Sequence, residues 1–280
     1  TQSPTNPVAP DKCGGSTSVT WTYTSSCAPT STTCTATFTV DPAPPVVLTC
    51  ATSKTEAACQ TQAAIDASFA AWLLTTTATG GCNGLLTKSP TNPVAPDKCG
   101  GSTTVTWTYT SSCTPMTTTC TATFTVDPAP PVVLTCATSK TEAACQTQAA
   151  IDAKFNTWLG TAMFTGGCNG VLTNDNTGAP MACGGVKMVT FTVTSDCGPN
   201  KTCTATFTVI DAPVVVLNCP SNQTEAACQT QSAIDAKFTT WLGTANFSGG
   251  CNAMLSNNST TAPDHCGGMA SVTFTVTSDC

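Results

Sequence analysis

The stretch GSTTVTWTYTSSCTPMTTTCTATFTV, residues 101–126, decides the fold. Apolar residues and threonines alternate on both sides of a short polar turn. The apolar set is Val105, Trp107, Tyr109, Ala122, Phe124 and Val126. A period of two places alternate side chains on opposite faces of a β-strand. The stretch therefore predicts a β-hairpin with one buried apolar face and one threonine face exposed to solvent.

This hairpin belongs to a repeat that recurs along the chain. The repeat is marked by the cysteine that opens each Cys-Gly-Gly motif: Cys13, Cys99, Cys183 and Cys266. A unit of about 84 residues is a small domain and not a solenoid turn. Residues 1–69 differ from residues 87–155 at only six positions. Because the sequence starts and stops inside a unit, we expect it to be a window from a longer array.

Proline-rich segments separate the units. DPAPP occupies 41–45 and 127–131, and IDAP occupies 210–213. Proline lacks a backbone donor and favours an extended chain, so these segments predict short, stiff linkers. The predicted domains are the C-terminal part of a repeat at 1–42, complete repeats at 43–128 and 129–211, and a truncated repeat at 212–280.

One amphipathic helix is predicted in each unit, after the first strand in PVVLTC. In SKTEAACQTQAAIDAKFNTWL, residues 139–159, the apolar residues follow the spacing i, i+4, i+7, i+8. They are Ile151, Phe155, Trp158 and Leu159. Ser139 and Glu142 have the spacing of a capping box, which predicts the start of the helix there. Ser53 with Glu56, and Asn222 with Glu225, predict the same start in the other copies.

Five to seven strands and one helix in about 84 residues indicate a mostly β fold. We expect tandem immunoglobulin-like β-sandwich repeats, disulfide-rich, each with one α-helix inserted after its first strand.

Composition indicates the cellular compartment and limits the kinds of partner. The chain has 20 cysteines in 280 residues and no CxxC pair, which favours disulfides over zinc and indicates an oxidising, extracellular setting. Only 9% of residues are charged and the net charge is −6, so nucleic acid is excluded as a partner. No stretch approaches the length of a membrane span, and no signal peptide is evident, so we expect export signals and any anchor outside this window.

Strand parity predicts the intradomain disulfides. Cys136 lies on the inward face of its strand and Cys203 on the inward face of the last strand, which predicts Cys136–Cys203. The equivalent pair in the previous unit is Cys50–Cys120. A second intradomain set is expected between the cysteine near the helix and the one after Gly-Gly, namely Cys59–Cys82 and Cys145–Cys168, which would pin the helix to the sheet.

The remaining cysteines lie at opposite ends of an extended strand. Ten extended residues span about 33 Å, far beyond the reach of a disulfide, so Cys183 and Cys197 cannot pair with each other. Because the two lie at opposite poles of the sandwich, interdomain bridges are predicted: Cys13–Cys113, Cys99–Cys197 and Cys183–Cys280. The competing arrangement is a local hairpin bridge, Cys197–Cys203, which would leave the joints flexible.

Several phrases of the repeat resemble a known family. VLTC, TEAACQTQAAIDAKF, FTGGCNGVLTN, CGGSTTVTWTYTSSC and TCTATFTV look like the HYR-like, immunoglobulin-related repeats of giant surface adhesins in Bacteroidota. These include the gliding-motility adhesin type exported by the type IX secretion system. The resemblance implies a cell-surface filament or adhesin with no catalytic residues.

Other chemical candidates are weaker. His265 stands where the other copies have Lys12, Lys98 and Ala182, so it is not expected to bind a metal. Glu142 and Asp152 would lie about 15 Å apart on one helix, which favours a cap and a solvated face over a catalytic pair. NDNTG at 174–178 resembles part of a calcium loop but lacks the downstream acid. The aromatic residues could line a glycan platform, although core packing explains them. Glycosylation sequons begin at Asn200, Asn222, Asn246, Asn257 and Asn258.

These observations favour a non-enzymatic extracellular fibre or stalk of a bacterial surface adhesin, with no cofactor and no metal. The alternative is an array of weak glycan- or protein-binding repeats that acts by avidity. A third interpretation makes the units accessory modules of a polysaccharide-active enzyme whose catalytic domain lies elsewhere. The expected partners are neighbouring repeats of the same chain, with surface glycans, other cells and lateral association between chains as further candidates.

Overall fold

The computed structural model describes residues 1–259 and 261–280. Within this part the chain forms two compact units, Thr1–Pro131 with Gly167–Asn169, and Val132–Gly166 with Gly170–Cys280. The division falls at the end of the second proline linker.

The first copy of the hairpin forms a three-stranded antiparallel sheet in the order β1-β2-β3. The strands are β1 (Gln2–Ser3), β2 (Gly15–Thr24) and β3 (Ser31–Val40).

The first complete repeat contains six strands and one helix. In chain order these are β4 (Val47–Thr49), β5 (Lys54–Glu56), α1 (Gln62–Leu73), β6 (Thr77–Thr79), β7 (Leu85–Ser89), β8 (Gly101–Thr110) and β9 (Thr117–Val126). β4 pairs with β6, and the larger sheet has the order β5-β9-β8-β7. β5 runs parallel to β9, and the other neighbours in the larger sheet are antiparallel.

The second complete repeat has the same topology. Its elements are β10 (Val133–Thr135), β11 (Lys140–Glu142), α2 (Gln148–Leu159), β12 (Met163–Thr165), β13 (Val171–Asn174), β14 (Gly185–Thr194) and β15 (Lys201–Val209). The sheets are β10–β12 and β11-β15-β14-β13.

The last copy contributes a helix and two strand pairs. Its elements are β16 (Val216–Asn218), α3 (Gln231–Leu242), β17 (Asn246–Ser248), β18 (Met254–Asn257) and β19 (Phe274–Thr277), with β16 paired to β17 and β18 to β19. In the described part of the chain, no helix combines the length and the apolar character that a bilayer span requires.

The core of each complete repeat lies between the helix and the larger sheet. In the first, Phe69 packs edge-on against Phe124 with ring centroids 5.3 Å apart, and Trp72 packs against Trp107 at 5.4 Å. The opposite face is polar, and cross-strand threonine hydroxyls bond there, as between Thr106 and Thr121 at 3.0 Å. The predicted register of the hairpin, apolar inward and threonine outward, is therefore confirmed in both complete repeats.

The repeats are mostly β, disulfide-rich and immunoglobulin-like in arrangement. The disulfide Cys50–Cys120 joins the end of the small sheet to the larger one. Cys120 lies opposite the buried Trp107 in the strand register. A buried tryptophan beside an inter-sheet disulfide is a hallmark of the immunoglobulin sandwich.

The predicted start of the helix is wrong. Lys140–Glu142 forms β11, which pairs with β15, and the hydroxyl of Ser139 accepts a hydrogen bond from the Thr206 amide. The N-cap is Thr147, whose hydroxyl accepts from the Ala150 amide at 3.2 Å. Pairing with the last strand takes up the residues of the apparent capping box, so in both complete repeats the helix follows two short strands and not one. The equivalent N-caps are Thr61 and Thr230.

Candidate functional site at the joints between repeats

Each proline linker is pinned by backbone hydrogen bonds on both sides. In the first linker, the Ala43 amide donates to the carbonyl of Cys13 at 2.9 Å, and the Gly81 amide donates to the carbonyl of Pro44 at 2.8 Å. The same two bonds recur in the other linkers: Ala129 to Cys99, Gly167 to Pro130, Ala212 to Cys183 and Gly250 to Pro213. The stiffness predicted from proline content therefore has a second source, which is attachment of the linker to the repeats before and after it.

Two glycines allow this close approach. Gly14 has a φ of +124°, and a Cβ atom there would lie 2.8 Å from Pro42 Cα. Gly80 has a φ of +80°, and a Cβ atom there would lie 1.8 Å from the Pro45 carbonyl oxygen. Any side chain at either position would push the linker away.

A first set of disulfides crosses the joints from the Cys-Gly-Gly motif. Cys13 bonds Cys113 and Cys183 bonds Cys280, each with a Cα–Cα distance of 5.4 Å, and these are pairs predicted from strand geometry. The two disulfides have the same local surroundings. Cys13 Sγ lies 3.5 Å from the Ser112 carbonyl oxygen, and Cys183 Sγ lies 3.5 Å from the Asp279 carbonyl oxygen.

The third predicted pair of this set is Cys99–Cys197. Both cysteines are disulfide-bonded. Their pairing with each other stays a prediction. The competing hairpin bridge Cys197–Cys203 is wrong, because Cys203 bonds Cys136.

A second set of disulfides corrects the prediction for the cysteines near the helix. Cys59 does not bond Cys82 and Cys145 does not bond Cys168. Instead the structure pairs Cys59 with Cys168 and Cys145 with Cys251, across 109 and 106 residues. Each bond links the cysteine before the helix to the Gly-Gly-Cys turn of the following copy. Cys82, the first such turn cysteine in the chain, is a free thiol.

The predicted pairs Cys59–Cys82 and Cys145–Cys168 were wrong because only pairings within one repeat were considered. Cys59 and Cys145 occupy turns with left-handed backbone, at φ 67° and 63°. Their sulfurs lie 3.8 Å from the carbonyl oxygens of Gly167 and Gly250, in the next copy. Each Gly-Gly-Cys turn contains a glycine that donates a hydrogen bond to a proline linker, and its cysteine is Cys82, Cys168 or Cys251. The position of these cysteines directly after the two glycines therefore indicated that they lie at a joint between repeats.

The intradomain pairs agree with strand parity. Cys50 bonds Cys120 and Cys136 bonds Cys203, with Cα–Cα distances of 6.0 and 5.9 Å. These four cysteines are half-buried against the two cores.

Six described cysteines are free: Cys27, Cys34, Cys82, Cys219, Cys228 and Cys266. Several of them keep the local geometry of their bonded counterparts, and Cys228 and Cys27 are examples. Cys228 has a φ of 68°, as in the helix turns of the other copies. The Cys27 amide donates to Ser25 Oγ at 3.1 Å, and that of Cys113 donates to Ser111 Oγ at the same distance. The local fold, and not the sulfur bond, sets the position of these cysteines.

Glu142 belongs to an ion-pair cluster and not to a catalytic pair. Its carboxylate accepts from Lys154 at 2.6 Å and from Lys140 at 3.0 Å, and these donors hold the pKa of Glu142 at about 2. Glu142 lies in β11, so the expectation that it shares a helix with Asp152 is wrong. Asp152 accepts from Gln148 on α2.

The side-chain oxygens of the calcium-like segment accept backbone hydrogen bonds, two within the segment and one from β14. Asn174 Oδ1 accepts from the Asn176 amide and Asn176 Oδ1 from the Gly178 amide. Asp175 accepts from the Thr190 amide at 2.8 Å, and this bond lowers its pKa. Asn174 and Asn176 thus cap turns within the loop, and Asp175 ties the loop to β14.

One cluster of metal-ligand type lies in the described residues, at Asp264, His265 and Cys266, all exposed, with donor atoms within 4.8 Å of one another. Cys266 occupies the position that forms a disulfide in Cys13 and Cys183. The other copies have no histidine here, so the repeat offers no recurring ligand set. The asparagines that open the five glycosylation sequons are exposed.

A shallow groove recurs beside the helix. In the first complete repeat it has a volume of about 390 Å³ and is lined by residues that include Thr52, Ala71, Trp72 and Thr75. In the last copy the equivalent groove is lined by residues that include Thr240, Trp241 and Thr244. The Trp72 indole N–H donates to the Thr52 carbonyl at 2.7 Å, so the tryptophan is held in the wall of the groove.

Comparisons with known proteins leave the family open. No family model matches the chain, and no curated protein matches it. Among solved structures, protocadherin gamma B2 extracellular cadherin domains 3–6 matches at 11% identity, covering 72% of this chain and 59% of that chain, with a TM-score of 0.26. The titin I-band fragment I67–I69 matches at 9% identity, covering 79% of this chain and 80% of that chain, with a TM-score of 0.25. The human desmocollin-1 ectodomain matches at 10% identity, covering 75% of this chain and 51% of that chain, with a TM-score of 0.23.

The chain spans less than two thirds of the length of the protocadherin structure. TM-scores this low carry no argument, so the fold assignment rests on the sheet order, the inter-sheet disulfide and the buried tryptophan described above.

Proposed function

We propose that this chain is a non-enzymatic structural segment of an extracellular fibre or stalk, of the kind that surface adhesins use to hold a binding tip away from the cell. The observation that carries the proposal is the construction of the joints. Linker hydrogen bonds pin each proline segment, and disulfides join each copy to the next. A flexible linker lets neighbouring modules bind independently, whereas disulfides across the joints keep neighbouring repeats at a fixed separation, as a fibre or stalk requires.

The surface chemistry supports the same proposal. The outward faces of the hairpins carry threonine hydroxyls that bond to each other, as in Thr104 with Thr123 at 2.9 Å. In the second complete repeat the Lys154–Glu142 ion pair links α2 to β11, and in the first the Ser68 hydroxyl makes the equivalent link from α1 to Glu56 in β5. The resemblance of the repeat phrases to HYR-like repeats of Bacteroidota adhesins makes a bacterial cell surface, with export by the type IX system, the setting that we propose.

The test replaces joint cysteines in cells that produce the protein. The variant Cys59→Ser, Cys168→Ser, Cys145→Ser, Cys251→Ser lacks one set of braces. We expect surface filaments that are shorter and more bent in electron micrographs, with attachment reduced more under flow than at rest. The matched control is Cys136→Ser with Cys203→Ser, which removes a disulfide within a repeat. Filaments of unchanged length and stiffness in the joint variant would contradict the proposal.

The recurring groove beside Trp72 and Trp241 favours one alternative, a multivalent array in which each copy binds a glycan weakly. A glycan microarray probed with the oxidised chain tests it. Retention that falls when Thr75→Tyr and Thr244→Tyr fill the grooves would favour the array, and no retention would favour the structural fibre.

A further inference from the structure

We propose that the disulfide network makes this chain a strain-limited tether, whose greatest extension is set by the sulfur crosslinks and not by the length of the polypeptide. The biological use of this property rests on the proposed role as a fibre. The property itself follows from which cysteines are bonded.

A short covalent route connects the first joint cysteine to the last residue. From Cys13 it crosses to Cys113, follows the chain to Cys120 and crosses to Cys50. It then follows the chain to Cys59, crosses to Cys168, continues to Cys183 and crosses to Cys280.

The route contains little polypeptide. Its peptide segments are 113–120, 50–59 and 168–183. At the maximum rise of an extended chain, together with four disulfides, the route spans about 130 Å. The full polypeptide between the same ends would span about 900 Å.

The elements that form the cores lie mostly off this route. The helices Gln62–Leu73, Gln148–Leu159 and Gln231–Leu242 are outside its peptide segments. The same holds for β8 and β14, which carry buried faces of the two hairpins. Tension applied to the ends therefore passes through sulfur bonds and short connecting segments, and unfolding of a core releases little length.

A second route, which shares the bonds Cys13–Cys113 and Cys183–Cys280 with the first, limits the extension when Cys50–Cys120 or Cys59–Cys168 is lost. It runs from Cys13 to Cys113, along 113–136, across to Cys203, back along 203–183 and across to Cys280. With its three disulfides it spans about 170 Å when fully extended. The bonds made by Cys99 and Cys197 can shorten these routes but cannot lengthen them.

The experiment is single-molecule force spectroscopy on the full chain, with protein handles fused to both ends. We expect the oxidised chain to reach no more than about 130 Å between Cys13 and Cys280, and the chain treated with a phosphine reductant to reach about 900 Å. An oxidised chain that extends well beyond about 130 Å, while mass spectrometry confirms its disulfides, would overturn the proposal.

Two paired variants sharpen the measurement. Cys59→Ser with Cys168→Ser removes the short route, so the limit can rise, but to no more than about 170 Å. If the limit instead does not exceed about 130 Å, a parallel route through Cys99 and Cys197 carries the load, which also supports the proposal. An oxidised variant that extends well beyond about 170 Å contradicts it.

The matched control is Cys145→Ser with Cys251→Ser. This pair lies off both routes, so its removal leaves the limit unchanged. The limit depends on bonds and not on packing, so a variant that folds poorly but forms the remaining disulfides still gives a clear result.

This experiment separates the two proposals. An extensible oxidised chain overturns the strain limit and leaves a fibre role standing. Unchanged filaments in cells overturn the fibre role and leave the strain limit standing.

Discussion

The hairpins β2–β3 and β8–β9 have nearly the same sequence and opposite environments. They differ at four positions between 15–40 and 101–126. Trp107 and Phe124 are 2% and 0% exposed, whereas their counterparts Trp21 and Phe38 are 43% and 67% exposed. The difference is the helix: α1 covers β8–β9, and no helix in the described residues covers β2–β3. Alternation in a strand thus defines which face is apolar, and a separate element decides whether that face is buried.

The cysteines of the two hairpins differ in the same way. Cys120 bonds Cys50 and Cys113 bonds Cys13. Cys34 and Cys27, at the matching positions of the first hairpin, are exposed free thiols. Each bonded cysteine thus takes its partner from a segment outside its own hairpin, Cys50 for Cys120 and Cys13 for Cys113. Substitutions at matched positions of the two hairpins test how far they differ.

The largest effect is expected on the apolar face. Phe124→Ala removes a ring that contacts Phe69 and Trp72 in the core, so we expect unfolding of the first complete repeat to become easier by about 3–5 kcal/mol. Phe38→Ala, the matched change in the uncovered hairpin, should cost under about 1 kcal/mol. Hydrogen exchange measured on peptides from each repeat, as a function of denaturant, resolves the two regions. Equal losses in both variants would contradict the assignment of the core to the helix contact.

The next effect concerns the inter-sheet disulfide. Cys50→Ser with Cys120→Ser opens a loop of about 70 residues, for which chain entropy predicts about 4 kcal/mol and the other crosslinks reduce the loss to about 2–4 kcal/mol. Cys34→Ser changes a free, exposed thiol and should leave stability within about 0.5 kcal/mol. Thermal unfolding under non-reducing conditions measures both. A double variant as stable as the parent would show that this bond contributes nothing beyond the remaining network.

A smaller effect is expected from the ion-pair cluster. Glu142 has a folded pKa of about 2, against an ordinary value of 4.5, because of Lys154 and Lys140. A lowered pKa means that the ionised form stabilises the fold above about pH 4.5. This contribution is lost as the pH falls from there towards 2. Both lysine side chains are 43% exposed, so we expect Glu142→Gln to cost no more than about 1 kcal/mol at pH 7.

Denaturant unfolding of the second complete repeat at pH 7, 4 and 2 checks this. The difference between Glu142→Gln and the parent should shrink as the pH falls and disappear near pH 2. Lys154→Ser is the matched comparison, because the equivalent residue in the first complete repeat is Ser68, which donates to Glu56 at 2.5 Å. A difference that is independent of pH would rule out the ion pair as the cause.

The smallest effect is expected on the threonine face. Thr106→Ala removes one cross-strand hydroxyl bond in the covered hairpin, and Thr20→Ala removes the equivalent bond in the uncovered one. Because this face meets solvent in both hairpins, we expect losses under about 1 kcal/mol and similar in size. Hydrogen-exchange rates of the neighbouring strand amides measure the loss of stability in each variant. A much larger loss in one hairpin would show that its threonine face is covered.

The sequence by itself determined what depends on local pattern. Period-two alternation predicted the register of the hairpins, because adjacent strand residues must point to opposite faces. The same parity predicted Cys50–Cys120 and Cys136–Cys203, since two inward cysteines on facing strands lie within bonding distance. The stripe of Ile151, Phe155 and Trp158 predicted the helix and its buried face, and all three are buried.

Only the tertiary structure decided what depends on contacts between distant segments. The apparent capping box at Ser139 and Glu142 became part of a parallel strand pair, because the last strand of the repeat offers backbone partners that a local pattern does not reveal. Cys59 and Cys145 found their partners in the next copy, since packing at the joint brings a Gly-Gly-Cys turn against the turn before the helix. The hairpins β2–β3 and β8–β9 show the same dependence on distant contacts. Their local sequences specify one structure, and the presence or absence of a covering helix decides whether that structure has a core.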